Sequence, residues 1–534
     1  MRGERIIKPI FPNDGPKLGA ILLRFIDTHR YWVFGYLGLM YAAGFTTYLR
    51  LSPDTAANLM AGDRLARGLG LVGPGGQGAN LVPGFPYLVA VFQTVFGEQR
   101  DTALLVFMLG VGLAGLWLVY RLFQAVTDRP TAVLITLLAG INNAIYSYAL
   151  RPMPDLLFYD GLLLALWGWH LLHRPTAAAR GDDAASDTAR PTRWRGAAML
   201  LAGLALMAAM RTVVGVVVFA MLIETAWRLV AQRRWRWLAG LAIAGVLGVL
   251  LIHLLQAGFT LRLTPDEALL KQRLVDRLPA TLHQAWTDTG PQLINEHIAE
   301  AVFGVNIRGA AAPLSVLVLV SWCWLFRANR LWALIVLGFL LQWLLVGTTR
   351  RYFIPTLPLF ALGWWYFAVY LEKRIGAWPG TAVFIVLLCF PVLGSSLKSG
   401  NTMLLQRQRP YYAHYNDGKY APLIELADAM RQTLPSDALV IAGPNAPAEL
   451  ALLSGHDVRR RIAHLYPHTG PAYVIEPMTP NARGHIERGE ARLGEVLLTL
   501  TDHEGRPIVL RRILANRDVV GTHATPDAGE ASER

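Results

Sequence analysis

The sequence predicts an α-helical polytopic membrane protein that ends in a small α/β domain outside the lipid. Three observations carry this. A soluble chain has about a quarter of its residues charged, whereas these 534 residues are 16% charged and 54% hydrophobic, with a positive mean hydropathy. The apolar residues gather in runs of about twenty, the length that crosses a bilayer. From residue 398 onward the runs shrink and charged residues return.

The formal net charge is +13. Lys and Arg stand in short clusters between the apolar runs, so the basic balance reports topology and contact with membrane lipids, not a nucleic-acid partner. Cys323 and Cys389 both fall inside apolar runs, which supports neither a disulfide framework nor a thiolate metal site. Segment 1–30 contains Pro9, Pro12 and Asp14 and no clean cleavage pattern, so the first span is expected to stay as an anchor.

A window of about nineteen residues places spans near 31–49, 102–123, 131–149, 154–173, 195–210, 212–230, 237–255, 311–326, 331–348, 352–371 and 377–394, about eleven helices. The clusters Arg24/Arg30, Arg121/Arg129, Arg190/Arg193/Arg195, Arg233/Arg234/Arg236, Arg327/Arg330 and Lys373/Arg374 then fall on every second connection and can all be cytoplasmic together. The expected organisation is a cytoplasmic segment 1–30, a transmembrane domain 31–397 with outer loops 50–101 and 256–310, an outer α/β domain 398–520, and a disordered tail 521–534. Segment 175–192 reads as a flexible cytoplasmic linker.

The alternation holds only if 85–97 does not cross the membrane. That stretch follows a polar one in which Asp54 precedes Leu59, Leu65 and Leu69 at roughly helical spacing. Its own apolar run is too short for a span. Both halves of the first outer loop are therefore expected to be surface helices. In the tail, 420–434 and 448–453 have helical patterns, the latter ending near Gly455. Residues 439–442 and 472–475 read as buried strands, and 497–501 with 508–513 as a closing hairpin.

No Walker motif, dinucleotide fingerprint, His-Glu-x-x-His or nucleophile elbow occurs in a usable context, which argues against ATP coupling and soluble-type hydrolysis. What remains is a set of polar residues on the predicted outer connections: Asp54, then Arg151 and Asp155 flanking Pro152 and Pro154, then Arg211, then Arg350 and Arg351. Two acids offer a general base or metal ligands, and guanidiniums suit a phosphate leaving group. Blander roles compete. Ser52 and Asp54, or Asp155, can cap helices, and Arg350 and Arg351 can anchor span ends. Asp160 lies inside a span, where an acid costs about 2.5–3.5 kcal/mol, so it is expected to face protein or a watery cavity. Glu224 is expected to snorkel to the cytoplasm, and His283 and His297 to be solvated loop residues.

These residues resemble a family. Asp54, then Ala66-Arg67-Gly68-Leu69-Gly70, then Pro83-Gly84-Phe85-Pro86-Tyr87-Leu88-Val89-Ala90 and Phe96-Gly97, is similar to the first outer loop of the type C (GT-C) glycosyltransferases. These multi-span enzymes take a sugar from a polyprenyl-phosphate carrier, and relatives include aminoarabinose, mannosyl and arabinosyl transferases. Ala149-Leu150-Arg151-Pro152-Met153-Pro154-Asp155 resembles the family's second acidic loop, and Arg350-Arg351-Tyr352-Phe353-Ile354-Pro355-Thr356-Leu357-Pro358 its late Arg-Tyr segment. Segment 444–459, with Glu449-Leu450 and Ser454-Gly455, is similar to a stretch of some outer domains. Thr55 and Asn58 stand where many relatives have a second acid and a Tyr, so Asp54 works alone or with Asp155 across loops.

The resemblance implies transfer of a sugar, with inversion, to an envelope glycan, lipid or protein on the outer face of a bacterial inner membrane. It implies Asp54 and Asp155 as catalytic residues, Arg151, Arg211, Arg350 and Arg351 as phosphate ligands, and the option of a divalent metal (Mg or Mn) on Asp54 and Asp155. Loop 256–310, with Asp266, Glu267, Lys271 and Arg273, would cover bound substrate. The alternatives are a lipid or glycan flippase, which predicts paired midplane polar residues in repeated halves, and a scaffold subunit, which would tolerate loss of Asp54.

Overall fold

The computed structural model describes residues 17–47, 49–50, 52–71, 82–173, 186–237, 240, 278–303, 309–346, 355–408, 417–442, 447–459, 470–478, 480–489, 491–501 and 505–515. Two compact units emerge. The first takes residues 1–47, 82–84 and 102–408, and the second takes 48–81, 85–101 and 409–534.

The helices, in chain order, are α1 (Lys17–Thr28), α2 (Arg30–Gly44), α3 (Pro53–Ala66), α4 (Gly84–Phe96), α5 (Arg100–Val126), α6 (Arg129–Ile141), α7 (Asn143–Ala149), α8 (Pro154–His173), α9 (Ser186–Met210) and α10 (Val214–Ala231). There follow α11 (278–303, with π-helical turns at Ala285–Thr289 and Leu293–His297), α12 (Ala311–Ala328), α13 (Arg330–Val346), α14 (Leu357–Arg374) and α15 (377–408, with a π-helical turn at Ile385–Cys389). Among the described residues four runs are long and apolar enough to cross a membrane: Gly84–Val126, Val214–Ala231, Ala311–Ala328 and Ala377–Leu404. The bent pair α6/α7 makes a fifth if it counts as one span. At 43 residues the first run exceeds any single crossing, and the left-handed Gly97 (φ 54°) divides it into α4 and the 27-residue α5.

In the first unit α8 is deeply enclosed, with almost every residue from Pro154 to Gly168 buried. Glycines let α9 approach it. A Cβ on Gly168 would stand 2.4 Å from the Leu200 amide nitrogen, and one on Gly203 2.5 Å from that of Ala165. Small residues at such crossings let helix backbones pack closely where lipid provides no hydrophobic drive. Asp160 faces protein, buried against α5, where a Cβ on Gly115 would lie 2.4 Å from its Oδ1. At the start of α6, Asp128 caps the Thr131 amide, and Arg129 donates two 2.7 Å hydrogen bonds to the two oxygens of Asp27 in α1.

Several expectations need correcting here. The span near 131–149 is broken at Asn142 and bent by 66°. The buried Asn142 caps α7 through the amides of Ala144 and Ile145 and donates to the Ala301 carbonyl at 3.0 Å. The Ser399 hydroxyl bonds the Ile141 carbonyl, and Thr402 bonds the Asn143 side chain. The Asn142 cap and the Ser399 bond satisfy backbone groups that the break releases. Glu224 does not snorkel: it is 3% exposed and paired with Arg228 at 2.7 Å and, across helices, Arg330 at 3.8 Å. His283 and His297 lie in helical α11 instead of a loop; His283 is exposed as expected, whereas His297 stacks on Trp343. The linker's last seven residues are helical, because α9 begins at Ser186. The span near 237–255 falls almost wholly outside the described residues.

The second unit holds α3, α4 and the C-terminal elements α16 (Asp417–Thr433), β1 (Leu439–Ile441), α17 (Pro447–Ser454), β2 (Asp457–Arg459), β3 (Ala472–Glu476), α18 (Pro480–Glu487), β4 (Ala491–Thr501) and β5 (Pro507–Ala515). The sheet order is β2-β1-β3-β5-β4. Val440 pairs in parallel with Val458 and Tyr473, while β5 runs antiparallel to β3 and β4. Strand alternation splits the apolar residues between two faces. Val440, Tyr473, Ile475 and Leu510 pack with Leu426 and Met430 of α16, Leu450 and Ala451 of α17, and Met60 of α3. Leu439, Ile441, Val474 and Ile513 form the other face, with Ile486 of α18.

Candidate active site

Both acids singled out in the sequence occupy the second position of a helix that opens with proline. Proline is preorganised for a first helical position, and an acid next to it meets the positive end of the helix dipole. In the first unit α7 ends at Ala149, and a tight turn follows in which the Arg151 amide bonds the Tyr148 carbonyl and the Met153 amide the Arg151 carbonyl. Then Pro154 opens α8 and Asp155 follows.

Arg211 reaches Asp155 from the break between α9 and α10. Its Nη2 lies 2.8 Å from each carboxylate oxygen. The pair is well enclosed, with side-chain exposures of 16% for Arg211 and 8% for Asp155. Burial makes such an ion pair strong only as a pair, since either charge alone would stand unsolvated. Arg151 is buried beside it in sequence, its guanidinium carbon 5.9 Å from the Tyr148 ring centroid. The structure thus brings Asp155 and Arg211 into contact, which the sequence pattern did not specify. It makes Asp155 the group that holds a guanidinium in place.

Asp54 belongs to the second unit. The Ser52 hydroxyl caps α3 by accepting from the Thr55 amide at 3.2 Å, so the cap role is filled by Ser52. Asn58, buried, donates to the Asp54 carbonyl at 2.7 Å. The Asp54 residue is half-buried. Gly62 lets α4 seat against α3, where a Cβ would meet Val89 at 2.4 Å. Arg100 ties Asp63 of α3 to Asp101 at the start of α5.

Arg350 and Arg351 lie outside the described residues, as do Asp266, Glu267, Lys271 and Arg273. One candidate was missed. Arg50 is 2% exposed and precedes Asp54 by four positions. Its signal is in the sequence: an arginine just after the first span, on a predicted outer connection, runs against the cytoplasmic bias of Lys and Arg.

No family model matches the sequence, and comparison with curated proteins finds no match. Solved structures do match in fold. ArnT from Cupriavidus metallidurans bound to undecaprenyl phosphate is 12% identical with a TM-score of 0.51, over 91% of this chain and 98% of that one. The Archaeoglobus fulgidus oligosaccharyltransferase tethered to an acceptor peptide is 12% identical with a TM-score of 0.53, over 85% and 70%. The same archaeal enzyme in complex with Zn and sulfate is 11% identical with a TM-score of 0.51, over 89% and 72%. The chain therefore has the GT-C fold that its first outer loop and late Arg-Tyr segment implied.

That fold raises the question of a metal. Among the described residues no group of three or more His, Cys, Asp or Glu comes together. Arg211 faces both oxygens of Asp155, and a guanidinium there repels a dication. The donors on Asp155 do not fit a divalent ion.

Proposed function

We propose that this chain is an integral-membrane glycosyltransferase that moves a sugar from a polyprenyl-phosphate carrier to an envelope glycan, lipid or protein on the outer face, with inversion. The observation that carries this is the fold likeness over nearly the whole length of an ArnT structure holding undecaprenyl phosphate. The chemistry of the residues agrees. Asp54 takes the proton of the acceptor hydroxyl as its oxygen bonds to the anomeric carbon. The bond from that carbon to the carrier phosphate breaks on the opposite side, and polyprenyl phosphate leaves with the electron pair.

The leaving phosphate needs fixed cations. Arg211, oriented by Asp155, is the first of these, with Arg151, Arg350 and Arg351 as further ligands and Arg50 added from its burial. Asp155 is thereby assigned to positioning rather than to proton transfer. About eleven spans, with the N-terminus cytoplasmic and the C-terminal domain outside, complete the arrangement in a bacterial inner membrane.

The test is direct. Purified protein in nanodiscs is incubated with a panel of polyprenyl-phosphate sugars and acceptors, and carrier and product are followed by mass spectrometry. Wild type is expected to release polyprenyl phosphate and a glycosylated product, with Asp54→Asn inactive. A wild type that moves carrier across a liposome bilayer without consuming it would replace the transferase with the flippase.

A further inference from the structure

We infer that Met60 is a positioning residue for Asp54, and that through it the C-terminal α/β domain sets where that acid stands. The inference rests on the proposed role of Asp54. It starts from the weakness of α3 as a helix. Its 14 residues, Pro-Asp-Thr-Ala-Ala-Asn-Leu-Met-Ala-Gly-Asp-Arg-Leu-Ala, include Thr55, Asn58 and Gly62, all poor helix formers. A helix of about 12–15 residues is marginal in water even with an ideal composition. Packing must hold it.

The packing comes from the far end of the chain. Met60 is 7% exposed and belongs to the same apolar cluster as Leu426, Met430, Leu450, Val458 and Tyr473. It is a core residue of the C-terminal domain supplied by the first outer loop. Residues 48–81 and 409–534 accordingly fall in one compact unit.

The geometry explains why this anchor controls the acid. Met60 follows Asp54 by about 1.7 helical turns, roughly 9 Å along the axis and about a third of a turn around it. Met60 can therefore be sunk in the domain core while Asp54, half-buried, points elsewhere. A helix pinned on one face cannot rotate about its axis. Rotation of α3 would swing Asp54 sideways, and a displacement of about 1 Å in a reacting group can lower a rate by ~10²-fold.

The experiment uses the full-length protein in nanodiscs. Met60→Ala, Met60→Leu, Leu450→Ala on the opposite side of the contact, and Asp54→Asn are compared with wild type. Two quantities are read: transfer kcat and donor KM, and amide hydrogen exchange across 53–66. Met60→Ala and Leu450→Ala are each expected to lower kcat by about tenfold or more, with donor KM within about twofold. Exchange of the α3 amides is expected to quicken. Met60→Leu, similar in volume, is expected to restore both.

Faster α3 exchange with unchanged kcat would overturn the inference, leaving Met60 as packing only. Unchanged α3 exchange in Met60→Ala would overturn it as well. Should Met60→Ala fail to fold, Met60→Val with Leu450→Ala carries the same comparison. Full transfer by Asp54→Asn would instead remove the assignment of Asp54, and the positioning of that acid with it. Loss of transfer in Asp54→Asn with normal kcat in Met60→Ala separates the two: the acid stands and the anchor fails.

Discussion

Asp54 and Asp155 are written in the same local grammar. Pro53-Asp54 opens α3 and Pro154-Asp155 opens α8, each acid in the first helical turn. Their surroundings differ. Asp54 is half-buried on a short helix capped by Ser52, whereas Asp155 is 7% exposed with Arg211 against both oxygens. The contrast teaches that helix-start residues decide where a carboxylate sits on the backbone, while its neighbours decide what it can do. Asp155 holds a cation, and under the proposed function Asp54 takes a proton.

The widest break in this comparison comes from neutralising each acid. Asp54→Asn is expected to lower kcat by about 10²–10⁴-fold, the usual worth of a general base, with the melting temperature unchanged. Steady-state transfer and a thermal melt check both halves. Asp155→Asn is expected to do something Asp54→Asn does not: destabilise the protein by about 3–5 kcal/mol, because Arg211 is left buried without its carboxylate. Replacing the pair together, as Asp155→Leu with Arg211→Met, should recover much of that loss in a denaturation experiment while transfer stays abolished. Recovery of transfer would show that neither charge serves the phosphate.

Two smaller effects sharpen the contrast between the two units. Gly168→Ala is expected to lower stability by about 1–3 kcal/mol, because its new methyl meets the Leu200 backbone rather than a yielding side chain. Ser52→Ala is expected to lower it by about 1 kcal/mol through the lost cap, with the effect confined to faster hydrogen exchange in α3. The smallest concerns Asp27, whose carboxyl the hydrogen bonds from Arg129 hold below its ordinary value of 3.8. A depressed acid stabilises the fold above that value, and the stabilisation fades as pH falls through the lower folded-state value. The melting temperature of wild type should therefore exceed that of Asp27→Asn at neutral pH and converge with it in acid.

Much of this fold was legible in the chain. Hydrophobic runs marked α5, α8, α10, α12 and α14, short apolar runs marked the buried strands β1 and β3, and 497–501 with 508–513 marked the β4–β5 hairpin. The short β2 and polar α18 were not anticipated, since Asp457–Arg459 is only three residues and Pro480–Glu487 has no apolar stripe. The break at Asn142 had a visible signal, two asparagines inside an apolar run, a residue that favours caps over helix interiors. Mean hydropathy does not register it, because the window averages across a single break.

In the candidate site, the Pro-Asp helix starts and the candidate arginines could be read directly. The partners could not. That Arg211 meets Asp155, that Arg330 meets Glu224, and that Met60 enters a core built some 360 residues later in the chain are decisions of the tertiary structure. The physical reason is range. Hydrophobic periodicity, proline at a helix start and a hydroxyl cap act within a few residues, so the sequence by itself determined most of the apolar helices, the strands β1, β3, β4 and β5, and the proline-led starts that carry the two acids. Burial and charge pairing depend on which surfaces meet after the chain has packed, so only the folded arrangement made one acid a partner for arginine and left the other half-buried on its helix.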